Sequence, residues 1–305
     1  MTCVLHIVST GFASTGFPPP LLERRGFMSS NPYDRETVGA YSESKFHRTF
    51  GIHKAEFRRL LGIVESWMEK KHKEGGRPFR LTAYDRLAIT LFYIRQYNTM
   101  EIIANYWGIW KGTVCKACNE TMACLVTSGV LRLEGMKKLK PGDIVVIDVT
   151  ESPVDRPGKG QKEFYSGKKK RHTMKTQVVL DKTTWMIVGI QLDKGHVHDF
   201  SIYKKSAATR IPEGVVIYAD SGYQGIVEYH ANSVIPRKKP RGGSLGKSDK
   251  ETNRKISRER ICIEHVNRWL KRFRILKDTY RNKRCNFWKP MYFACVEFNV
   301  AGIRV

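Results

Sequence analysis

Apolar residues recur at helical spacing between residues 45 and 73, where Phe57, Leu60, Leu61, Val64 and Trp67 lie on one face. That pattern predicts a single amphipathic helix. The polar stretch HKEGGRP breaks it, and LTAYDRLAITLFYIRQYN (81–98) predicts a second helix. Thr99 suits the N-cap of MEIIANYWGI, with Glu101 in the favourable first turn. A turn at 110–112 then leads into TVCKACNETMACLV. Helix, short helix, turn, helix is helix-turn-helix spacing, although an ordinary helical bundle shows the same pattern. On the DNA-binding reading, Lys111, Thr113 and Lys116 are the exposed polar candidates at the start of the last helix.

The period changes after Pro141-Gly142. DIVVIDVT (143–150) is an apolar strand that ends in polar residues. TQVVLD (176–181) and WMIVGIQLD (185–193) predict a β-hairpin. HDFSIYKKSAATR (198–210) predicts a helix N-capped by Asp199, and EGVVIYADSGYQG (213–225) predicts another strand. Residues 233–236 predict a further short strand. A basic, Gly-rich loop precedes a long helix over 255–274. The fold class is therefore mixed: an all-α N-terminal region followed by an α/β region from about residue 140.

Composition sharpens the choice of partner. The 305 residues carry a net charge of +25, which favours a polyanion such as nucleic acid over other partners. No apolar stretch is long enough to span a membrane. The seven cysteines are odd in number and scattered, as expected of free thiols. Cys115-x2-Cys118 lacks the second ligand pair that structural zinc needs. Residues 1–30 read as a poorly ordered tail, with Met28 as an alternative start.

Two apolar strands end in aspartate, Asp148 and Asp220. Either alone suits a turn; together they suit a site at the edge of a sheet. In the last helix Ile263, Val266, Leu270 and Phe273 form the core stripe. Arg260, Glu264, Asn267 and Lys271 form the adjacent stripe, within about 60° of one another. Glu264 is then either an i,i+4 ion-pair partner, worth a few tenths of a kcal/mol, or a third carboxylate ligand for two divalent ions.

The basic runs SGKKKRH (166–172) and RKKPR (237–241) supply Lys168, Lys169, Lys170, Arg171, Arg237, Lys238 and Lys239 as candidate phosphate contacts. GGSLGKS (242–248) lacks P-loop spacing, so no nucleotide cofactor is expected. KGHVHDF reads as a loop ending in a helix N-cap, in preference to a metal site. Tyr106, Trp107 and Trp110 read as helix-packing groups. Glu151 and Asp155 follow Asp148 closely, but neither ends the apolar run.

The spacing Arg260-x3-Glu264-x6-Lys271 resembles the Tyr-x2-Arg-x3-Glu-x6-Lys signature of bacterial insertion-sequence DDE transposases, with Ser257 where the Tyr would stand. Residues 147–181 and ADSGYQG (219–225) resemble the first- and second-aspartate blocks of the insertion-sequence-five group. Residues 81–127 resemble the small DNA-binding domain that precedes them. The resemblance spans about 45–300 and implies a helix-turn-helix domain over 31–135 and an RNase-H-like catalytic domain over 140–305. It implies that Asp148, Asp220 and Glu264 hold two Mg²⁺ (or Mn²⁺) ions, and that Arg260 and Lys271 grip DNA. The partners it implies are double-stranded DNA, both element ends and target, and a second copy of the chain on that DNA. A bacterial cytoplasm follows, or a nucleus in a eukaryotic host. The rival readings are a non-catalytic DNA-binding descendant and an RNase-H-like nuclease without strand transfer.

Overall fold

The computed structural model describes residues 31–75 and 77–302; the tail reading for 1–30 lies outside them. The helical half comprises α1 (Arg35–Gly39), α2 (Glu43–Phe50), α3 (Lys54–Lys73), α4 (Ala83–Gln96), α5 (Met100–Trp107) and α6 (Lys111–Thr127). The single helix predicted over 45–73 is thus two. Gly51 ends α2 with φ +85°, a left-handed conformation that glycine adopts without strain. A Cβ there would lie 2.7 Å from Cε1 of Phe273, so the gap between α2 and α3 is also where a distant ring packs. The other starts follow local chemistry. Thr82 and Asp85 form a capping box on α4, and Thr99 accepts from the Ile102 amide to start α5 as expected.

The second half contains β1 (Ile144–Pro153), the one-turn α7 (Gln161–Phe164), β2 (Tyr165–Ser166), β3 (Arg171–Asp181), β4 (Met186–Lys194), α8 (Asp199–Lys205), β5 (Val216–Tyr218), β6 (Ser233–Val234), α9 (Lys247–Leu270), α10 (Arg274–Lys277) and α11 (Trp288–Val300). β4, β3 and β1 pair antiparallel; β5 joins β1, and β6 joins β5, in parallel. The two-residue β2 pairs with the start of β3. Three antiparallel strands followed by two parallel ones form the RNase-H-like mixed sheet that the resemblance implied.

Alternation along the strands buries both faces of this sheet. Val146, Val178 and Leu180 enter one core with α9, α11 and the N-terminal helices. Val145, Ile147 and Val179 enter a second core with Tyr203 of α8 and Tyr223. Asp148 is two residues from Val146, so it faces the side covered by α9.

Three expectations need correction. α9 starts at Lys247, two turns earlier than predicted, because the basic loop's KSDKE segment is already helical. The helix predicted over 198–210 is α8 followed by a 3-10 turn at Ala207–Arg210. Its N-cap is His198, because the Asp199 carboxylate is drawn 2.8 Å from the Lys175 ammonium instead.

Candidate active site

Asp148 does not end its strand, contrary to the sequence reading. β1 runs on to Pro153 because its antiparallel pairing with β3 continues through Asp148↔Val178 to Pro153↔Thr173. Its parallel pairing with β5 stops at Val146↔Tyr218. Asp148 therefore stands two residues past the point where the sheet opens on the β5 side. Asp220 follows β5 by two residues and caps the turn Ser221–Tyr223, accepting from the Gly222 amide at 2.8 Å. Both acids thus sit at the carboxyl end of the parallel pair, where α/β sheets place ligands.

α9 crosses this edge. Its core stripe is as predicted: Ile263, Val266, Leu270 and Phe273 are all buried. On the adjacent stripe, Arg260 donates from Nη2 to Oδ1 of Asp148 at 3.3 Å, and Asn267 donates from Nδ2 to Oδ2 at 3.0 Å. Glu264 lies between them, exposed, and makes no salt bridge among the described residues. Arg260 turns to the strand instead of to Glu264, so the intrahelical ion pair is absent. Asn267 is a contact to Asp148 that sequence reasoning left without a role; its place on the Arg260–Glu264–Lys271 stripe was the available signal.

A cleft of about 750 Å³ opens over this edge. Asp148, Glu264, Asn267 and Lys271 line it, with Lys168 and Lys169 from the turn before β3 and Arg95 and Gln96 from the end of α4. Burial lowers the Lys271 pKa, and the nearby Lys169 charge lowers it further. Glu151 also lines the cleft and accepts from Thr173 Oγ1 at 2.8 Å. Lys170 ends the turn and Arg171 begins β3; both are exposed.

Arg237, Lys238 and Lys239 lie apart from the cleft lining. There Arg237 pairs with Asp249 near the start of α9 at 2.9 Å. Lys111 and Lys116 are exposed on α6, and Thr113 is half-buried. Trp110 corrects its expected packing role. It is 71% exposed at the N-cap of α6, whereas Trp107 is buried.

Burial pushes the Asp148 pKa up to about 6; Arg260 pulls it down, and the negative charges of Asp220 and Asp199 push it up again. Below the acids, buried Tyr223 donates to Gln177 Oε1 at 3.2 Å, and Gln177 in turn donates to Ser206. Burial raises the Tyr223 pKa well above its ordinary value, with Asp148, Asp199 and Asp220 adding to it. Asp199, for which the sequence reading preferred a cap over a metal site, belongs to this acidic neighbourhood.

The donor set fits a hard divalent cation in its chemistry. It consists of carboxylate oxygens, with the buried and unpartnered Oδ1 of Asn267 beside them. Its arrangement is not a closed shell. Among the described residues, no three His, Cys, Asp or Glu side chains stand close enough together to hold an ion. Arg260 is the counter-charge of Asp148.

A mixed sheet whose edge carries Asp148 into a basic cleft, with Asp220 beside that edge but outside the cleft lining, preceded by a helix-turn-helix, defines an RNase-H-like protein of the nucleic-acid-processing class. The chain belongs to the DDE superfamily endonucleases. The profile of that family matches residues 147–299, and the profile for the helix-turn-helix of DDE superfamily endonucleases matches 79–130. The chain is 40% identical to a probable transposase for insertion sequence element IS702 from Microchaete diplosiphon, over 80% of this chain and 89% of that protein. It is 25% identical to a putative transposase for insertion sequence element IS112 from Streptomyces albus G, over 75% of this chain and 84% of that one. The piggyBac transposase synaptic complex with hairpin DNA overlays with a TM-score of 0.41 at 11% identity, over 87% of this chain and 75% of that one. Among the described residues, no helix is long and apolar enough to cross a membrane.

Proposed function

We propose that this protein is a transposase that binds the terminal inverted repeats of its own element. It hydrolyses the phosphodiester there and joins the freed 3′-hydroxyl to target DNA. The observation that carries this reading is the meeting of Asp148, Glu264, Lys271 and Lys169 in one cleft. Asp220 lies close enough to Asp148 to raise its pKa. In this role Asp148, Asp220 and Glu264 would hold two Mg²⁺ (or Mn²⁺) ions. Bound there, the ions would activate water or the 3′-hydroxyl and stabilise the leaving oxygen.

The chain's own groups do the remaining work. Lys271, Lys168 and Lys169 grip phosphates on the cleft wall; Lys271 is half-buried, which strengthens its contact, while Lys168 and Lys169 reach in from the exposed turn. Arg260 and Asn267 hold the first aspartate in orientation, and the Arg260 guanidinium would also serve as a phosphate contact beside it. The helix-turn-helix, through Lys111, Thr113 and Lys116, grips the element ends. Coordinated cleavage of two ends calls for two copies on the DNA.

The test uses a labelled plasmid carrying the gene's native flanks, with wild type and Glu264→Gln, with and without Mg²⁺. Cleavage at the flanks by wild type alone, and only with metal, is the expected result. Equal cleavage by both would remove Glu264 from the chemistry. Cleavage without joining of ends would reduce the reading to a nuclease.

A further inference from the structure

We infer that the outer face of α9 is a track for duplex DNA leading out of the cleft. At about 100° per residue, Lys247, Lys250, Arg254, Arg258 and Arg268 fall within about 80° of one another. All five are exposed, and none makes an ion pair among the described residues. The acids of α9 mostly point elsewhere. Asp249 is paired with Arg237, Glu259 with Lys182, and Glu264 lines the cleft, so only Glu251 sits at the edge of the stripe. The stripe is separate from both other faces of the helix, the core face and the face that meets Asp148. Arg268 joins it to the cleft lining.

Such a stripe works against the free helix. Lys250–Arg254 and Arg254–Arg258 are like-charge i,i+4 pairs, each costing a few tenths of a kcal/mol. From Lys247 to Lys255 no residue of α9 is buried, so these turns have little packing to offset that repulsion. They are held alongside the basic loop by Arg237, which pairs with Asp249 at 2.9 Å and exchanges two hydrogen bonds with Asn253. An external polyanion relieves the repulsion. By contrast, the exposed lysines of α6 each lie near an acid, Lys111 at 3.8 Å from Glu101 and Lys116 at 3.9 Å from Glu120.

The dimensions select the partner. At 1.5 Å per residue, Lys247 to Arg268 spans about 32 Å, close to one turn of B-DNA. Lys247 lies about 26 Å along the helix from Glu264, a distance of roughly 7–8 base pairs at 3.4 Å each. The track therefore holds the duplex flanking the scissile phosphate through its backbone, without reading sequence. This inference rests on the proposed DNA-processing function.

The experiment is fluorescence anisotropy of wild type and the triple variant Lys250→Gln, Arg254→Gln, Arg258→Gln. The probe is a 30-base-pair duplex carrying the native element end, titrated across salt. Three lost phosphate contacts should make the slope of log affinity against log salt shallower by roughly 2.7. Hydroxyl-radical protection about 3–6 base pairs from the cleavage site should disappear as well. An unchanged slope and footprint would overturn the inference. So would a variant that loses binding to phosphatidylserine vesicles while its DNA slope stays intact. Should the triple variant misfold by circular dichroism, each single variant is expected to lower the slope by about 0.9. Neither readout requires cleavage, so failure of the catalytic reading in the plasmid assay would be seen independently.

Discussion

Asn267 donates its side-chain N–H to Oδ2 of Asp148 at 3.0 Å, tying the last turn of α9 to the open edge of β1 across 119 residues of chain. With Arg260 on the other carboxylate oxygen, the first aspartate is held at both ends from one helix, and Glu264 is carried between the two grips. Asn267 is a positioning residue by this geometry. Replacing it with Ala should cut metal-dependent cleavage 10- to 100-fold, the usual cost of losing an outer-shell partner. Mn²⁺ affinity, measured by isothermal titration, should weaken too, while a purely structural role would leave it unmoved and lower thermal stability instead.

Gly222 sits where a side chain would collide with the acids. A Cβ there would lie 2.8 Å from Oδ1 of Asp220 and 3.3 Å from Oδ2 of Asp199. Gly222→Ala should displace Asp220 and abolish most cleavage, with the melting temperature nearly unchanged because the turn is half-exposed. Wild-type cleavage by this variant would show that Asp220 need not hold its present place.

Glu297 of α11 is buried, and Glu56 of α3, with Arg59 beside it, lies on the wall of the same pocket. Burial and the Glu56 carboxyl raise the Glu297 pKa well above the ordinary glutamate value; Arg59 opposes them. A folded pKa above the unfolded one stabilises the fold below the unfolded value and loses that contribution as pH rises through the folded one. Urea midpoints should therefore fall as pH rises from about 4.5. Glu297→Gln, which mimics the protonated acid, should flatten that dependence. A wild-type curve without such a fall would contradict the assignment.

Gly51→Ala should destabilise the fold by at least about 1–3 kcal/mol, the cost of a side chain in a strained backbone region, with the Phe273 clash added. Chemical denaturation would measure it. Because Phe273 follows Lys271 by two residues, cleavage should fall along with stability.

Much of this arrangement was legible along the chain. The continuous apolar runs around Val146 and Val179 and the three helices of the helix-turn-helix follow from local patterning. So does the face of α9 that carries Arg260 and Lys271. What escaped depended on partners distant in sequence. That Asp148 is internal to its strand follows from β3 continuing to pair after β5 has stopped, which no local pattern encodes. Asp199 reads as a cap until Lys175 is placed beside it. Arg260 reads as a partner for Glu264 until Asp148 arrives from another element. The break at Gly51 was missed because apolar spacing continued across it.

The interior that Val38, Leu87, Val146, Val266 and Phe293 share joins the N-terminal helices to the sheet as one body. Arg95 and Gln96, at the end of α4, are part of the cleft wall. On the proposed function, such a chain cannot then acquire new end-sequence preferences by exchanging one half for another, as beads on a string would allow. Divergence would have to be written on the exposed side of α6, one surface substitution at a time, while the buried seam between the helical half and the sheet is inherited whole.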